Sequence, residues 1–101
     1  MKDLAELSAE DFKPFLEESF RLPIDEGQSL ELRLIEVVGR RGDTVDGARR
    51  SPFSIVFRGP HEPALAQQIC RLEHPRMGRL ALFLVPVGPD EDGMRYEAVF
   101  S

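Results

Sequence analysis

Between Phe20 and Phe100 apolar side chains recur at every second position, and this period of two limits the fold more than any other feature. Successive residues of an extended chain point to opposite faces, so each alternating run is a strand with one face toward a core. The pattern is clearest from Arg71 onward. There Arg71-Leu72-Glu73-His74, Leu80-Ala81-Leu82-Phe83-Leu84-Val85-Pro86 and Met94-Arg95-Tyr96-Glu97-Ala98-Val99-Phe100 are separated by two turn signals. Pro75-Arg76-Met77-Gly78 is the first of these turns, and Gly88-Pro89-Asp90-Glu91-Asp92-Gly93 is the second.

Upstream, Phe20-Arg21-Leu22-Pro23-Ile24, Leu30-Glu31-Leu32-Arg33-Leu34 and Phe53-Ser54-Ile55-Val56-Phe57-Arg58 alternate in the same way. Strands are thus expected at 20–24, 29–38, 52–59, 67–74, 79–86 and 94–101. Proline lacks the ladder donor, so Pro23 marks a sheet edge, and Pro86 ends its strand or sits in a bulge. After Leu34 the phase breaks at Ile35-Glu36-Val37-Val38, and a bulge near Leu34 or Ile35 restores it. In the fifth strand Ala81, Phe83 and Val85 are apolar too, which predicts cover on both faces.

One helix precedes the strands, over about 8–18. Ser8 is its cap, Glu10 and Asp11 suit its positive end, and Phe12, Phe15, Leu16 and Phe20 recur at helical spacing. Pro14 cannot donate back to Glu10, which predicts a kink or a 3₁₀ turn there. No later connection reads as a crossover helix, so parallel pairing is not expected. The fold class is therefore mainly β (α+β): an N-terminal helix, then a six-stranded antiparallel meander curled into a small, partly open barrel. The 101 residues suit a single domain, and no internal repeat or low-complexity tract is visible.

Composition excludes several roles. The formal charge of −5 disfavours nucleic acid and anionic membranes, which need a surplus of cations. No apolar run approaches the roughly 20 residues of a membrane helix, and Met1-Lys2-Asp3-Leu4 does not open a signal segment. With Cys70 the lone cysteine, no internal disulfide forms, and a cytoplasmic location is expected.

Reactive groups are sparse. His61 and His74 stand in separate segments without the spacing of a metal site, so no metal or cofactor is expected. His74 is expected to bond the backbone of the turn that follows it. No serine has a nucleophile-elbow context, and Cys70 is expected in the core, so no catalytic residue is assigned. Asp90-Glu91-Asp92-Gly93 lacks the spaced ligands of a calcium loop and reads as a hairpin turn. The remaining candidate is Arg40, Arg41, Arg49 and Arg50, two pairs flanking a glycine-rich loop. Closed as a hairpin, that loop could offer guanidinium forks to a carboxylate patch on a partner or to a nucleic-acid phosphate.

The segments Phe53-Ser54-Ile55-Val56-Phe57-Arg58-Gly59-Pro60, Arg71-Leu72-Glu73-His74-Pro75, Leu82-Phe83-Leu84-Val85-Pro86-Val87-Gly88-Pro89 and Met94-Arg95-Tyr96-Glu97-Ala98-Val99-Phe100 carry a resemblance. With the Asp11-Phe12 helix start and the Ser29-to-Val38 strand, the chain resembles a small bacterial family of unknown function. Members of that family often stand beside phage-derived tail-collar proteins. The resemblance implies an accessory role in a tail-like or surface assembly, and it supplies no functional residues. The expectation is a non-enzymatic interaction or assembly module with a protein partner, open to homo-oligomers. The alternative is a small-ligand binder whose barrel mouth is lined by the helix phenylalanines.

Overall fold

A computed structural model describes residues 4–39 and 52–100. The Arg40, Arg41, Arg49 and Arg50 candidate lies outside these described residues. A 3₁₀ turn at Leu4–Glu6 leads into α1 (Ala9–Phe12), which passes into a second 3₁₀ turn at Lys13–Phe15. Six strands follow: β1 (Ser19–Asp25), β2 (Gln28–Gly39), β3 (Phe53–Gly59), β4 (Gln68–His74), β5 (Gly78–Asp90) and β6 (Gly93–Phe100).

The helix is shorter than the 8–18 span expected, and Pro14 is the reason. Asp11 accepts the Ser8 backbone N–H at 2.8 Å, fixing the start of α1. One turn later Pro14 has no N–H to give, so the α ladder tightens into 3₁₀ bonding, with Leu16 N–H donating to the Lys13 carbonyl at 3.2 Å. Glu17 then takes a positive φ of 72° and turns the chain onto β2. There Glu17 N–H donates to the Leu34 carbonyl at 2.7 Å, and Leu34 N–H to the Glu18 carbonyl at 3.0 Å. Leu34 is at the bulge anticipated from the phase break, where the β2–β3 register shifts between Leu34 and Glu36. Pro86 sits at a second bulge, and β5 runs on past it to Asp90.

The strands form a closed antiparallel barrel in the order β1-β2-β3-β6-β5-β4. The simple meander is corrected here. β3 pairs with β6 along its whole length, from Phe53↔Phe100 to Gly59↔Met94, and β4 pairs with β5 and β1 instead. A run of alternating strands looks the same for either order, because the link at 60–67 is long enough to cross the barrel end. Closure is also more complete than expected, yet thin, with β1 meeting β4 only at Arg21↔Glu73.

This order reveals two matching halves. Each is a short–long–short meander, with the long strand bulged and bent from one neighbour to the next. Leu30, Leu32 and Leu34 of β2 play the part of Leu80, Leu82 and Leu84 in β5, and Arg21-Leu22 that of Arg71-Leu72. The repeat lives in strand geometry and in too few identical residues to stand out in the sequence.

Side chains fill the interior. Phe20, Leu32, Leu34, Ile55, Phe57, Leu72 and Leu80 are fully buried. At one end Phe12 of α1 lies against Phe53 and Phe100, with ring centroids 5.9 and 5.5 Å apart, and those two rings stack at 4.5 Å. At the other end Leu65, in the crossing link, donates its N–H to the inward Tyr96 hydroxyl at 2.8 Å. There β3 and the start of β6 run so close that a Cβ on Gly93 would sit 2.0 Å from the Gly59 carbonyl oxygen, so only glycine fits. β5 departs from the two-sided cover expected of it, since Phe83 is 53% exposed on the outer face.

Candidate functional site

The thin closure creates the best-defined site. Beside the single Arg21↔Glu73 pair, a groove of about 560 Å³ lies between Ser19, Arg21, Glu31, Glu73 and Arg79. A second, of about 340 Å³, lies beside Pro23, Arg71 and Arg79. Arg21 Nη1 donates to Glu73 Oε1 at 2.7 Å across the seam, while Arg79 Nε stays 3.9 Å from the other carboxylate oxygen, too far to bond. The sheet edge expected at Pro23 is corrected, because β1 is joined to β2 on one side and to β4 on the other; Pro23 pairs with Ser29 and, lacking an N–H, cannot extend the β4 ladder past Arg21↔Glu73.

His74 forms the floor of the larger groove, its side chain 2% exposed. Nδ1 accepts the backbone N–H groups of Arg76 at 3.1 Å and Met77 at 3.2 Å, which is the turn-closing role its position predicted. The proton therefore sits on Nε2, which donates to Glu18 Oε1 at 2.7 Å. The Arg76 guanidinium bonds the other Glu18 oxygen and lies over the Phe15 ring at 4.8 Å. The hydrogen bond from Arg76, then that from His74, holds the Glu18 carboxyl below its ordinary range. Both ring nitrogens are thus engaged. The arrangement ties the turn after α1 to the β4–β5 hairpin and leaves His74 no nitrogen for moving a substrate proton.

His61 and Asp90 likewise bond backbone groups. His61 Nε2 bonds the Asp90 backbone carbonyl at 2.8 Å. Asp90 clamps the β5–β6 hairpin, accepting N–H groups from Asp92 at 2.8 Å and Gly93 at 3.0 Å. Cys70 is buried among core residues, and burial pushes its thiol up. Among the described residues no group of three or more His, Cys, Asp or Glu stands close enough to hold a metal ion. Nor is any helix among them long and apolar enough to cross a membrane. Phe12 plugs its end of the barrel rather than lining an open mouth. Sequence reasoning missed the Glu18–His74–Arg76 network and the seam. Their partners come from segments far apart in the chain, and no local pattern announces such a meeting.

Fold and groove together define a small closed antiparallel barrel, plugged by a helix and split along one seam. The chain belongs to the family described as Domain of unknown function (DUF6916), whose model matches residues 7–100. Neither a curated protein nor a solved structure matches it.

Proposed function

We propose that this chain is a non-enzymatic protein-interaction module, working in the bacterial cytoplasm as an accessory to a phage-derived tail-like or surface structure, with a tail-collar-type protein as partner. The observation that carries the reading is the β1–β4 seam. Among the described residues a single pair, Arg21↔Glu73, bridges β1 to β4 beside a groove, so this is the joint where a partner strand would have the least ladder to displace. An extended segment of a partner can add at such a joint by strand pairing. A protein partner also suits a net charge of −5 better than nucleic acid or membrane does.

The test is co-elution of the purified chain with the product of a neighbouring tail-collar-type gene. Binding is expected for the wild type and should be lost in Arg79→Trp, which obstructs the groove from an exposed position. No association with any neighbouring product, or association that Arg79→Trp leaves unchanged, overturns the reading.

A further inference from the structure

On the outer face of the barrel, away from the seam, β4, β5 and β6 carry the three most exposed large apolar residues among those described. These are Ile69 at 66%, Phe83 at 53% and Val99 at 51%. Ile69 and Phe83 are direct cross-strand partners. Phe83, Val85 and Val99 line one groove of about 430 Å³ that β5 and β6 form with Leu4 of the N-terminal 3₁₀ turn. Contiguous exposed apolar surface of this kind marks an interaction site.

The charges beside it indicate the occupant. Along β5, Ala81 and Val85 flank Phe83 on the same face. Ala81 has Arg71 of β4 opposite it, and Val85 has Glu97 of β6 opposite it. Arg71 and Glu97 therefore stand on diagonally opposite sides of Phe83. Neither forms an ion pair among the described residues. A two-fold axis lying in this face, through Phe83 and across the Arg71–Glu97 diagonal, maps each of these charges onto the other. It also lays Ile69 of one copy near Val85 of its partner, and with ordinary strand spacing and rise the strands cross at roughly 70°, nearer the orthogonal than the aligned class of sheet packing.

We propose that this face docks a second copy of the chain, with the Phe83 rings at the axis and Arg71 of each copy paired to Glu97 of the other. The pairing matters because each copy carries a net charge of −5, and like-charged partners repel unless unlike groups meet at the contact. The inference goes beyond the seam reading: of the residues it invokes only Arg71 also borders a seam groove, and Ile69, Phe83, Glu97 and Val99 line neither.

Light scattering and sedimentation of the whole chain over a range of concentrations provide the test. A two-chain species is expected. Phe83→Glu and the milder Phe83→Ser should give monomers with an unchanged circular dichroism spectrum. Arg71→Glu or Glu97→Arg alone, each counted twice in a symmetric dimer, should weaken association about tenfold. Combining both reversals should restore it. A monomer at every concentration overturns the proposal, as does a dimer that either Phe83 variant leaves intact. Failure of the double reversal to rescue overturns the stated pairing. Ser19→Trp, on the β1 wall of the larger seam groove, should leave dimerisation unchanged, and Phe83→Ser should leave co-elution with the tail-collar-type partner unchanged, which separates the two results.

Discussion

Asp90 carries more of the fold than a place in an acidic run suggests. The turn at Asp90-Glu91-Asp92-Gly93 is legible from its letters, but the partner that fixes it is not. Arg58, on a different strand, places its Nε 2.9 Å from Asp90 Oδ2 in a two-pronged contact. That contact also neutralises the middle of a row in which Arg33, Arg58 and Arg95 stand opposite one another on adjacent strands, where like charges oppose pairing. The Arg58 guanidinium first, with the Asp92 and Gly93 N–H groups adding to it against the cost of burial, pulls the Asp90 carboxyl from 3.8 down to about 2. A carboxyl depressed on folding contributes stability that is present above its unfolded pKa and is lost as pH falls through the folded one. The Asp90 contribution should therefore fade between about pH 4 and pH 2. Asp90→Asn is expected to melt at a lower temperature than the wild type at neutral pH, and to lose less further stability across that acid window. Thermal melts at stepped pH check this, and parallel curves for the two proteins would show that the Asp90–Arg58 contact does not supply the acid sensitivity.

Among the elements, those set by neighbours in sequence were legible and those set by distant pairing were not. The start of α1 at Ser8, its interruption at Pro14 and the β2 bulge at Leu34 all follow from local chemistry: a cap, a missing donor, a broken phase. The inward sets Leu80, Leu82, Leu84 and Tyr96, Ala98, Phe100 follow from period two. Strand order does not, because alternation says which face is buried and not which edge meets which. The same limit hid the seam groove, whose walls are β1 and β4. The one-turn α1 is too short to stand by itself, so its stability comes from packing. Phe12 supplies that packing, fully buried against the Phe53 and Phe100 rings. Phe12→Ala should cost about 3–5 kcal/mol in denaturant unfolding and free the N-terminal turn while the barrel ladders persist. A loss well under 1 kcal/mol would mean that the barrel end is closed without Phe12.

Across the whole molecule the two matching halves meet along two very different joints. The β3–β6 joint is a continuous seven-pair ladder, and β3 is buried on both faces from Phe53 to Phe57. The β1–β4 joint is one pair held by Arg21 and Glu73, whose side chains are 57% and 37% exposed. An ion pair so exposed contributes little, because water and salt screen it. Local opening follows the weakest joint, since free energies of opening within one structure range from near zero up to the global value. The barrel should therefore open at the β1–β4 seam first and at β3–β6 last. Native-state hydrogen exchange reads this directly. Amides at Ser19 and Arg21, which by alternation face β4 rather than β2, are expected to exchange fastest among the strands, and those of Ile55, Phe57 and Ala98 at the rate of global unfolding. Arg21→Ala should accelerate the first group several-fold and leave the second in step with global stability. Equal protection on the two joints would mean that the halves are locked together by something other than their strand ladders.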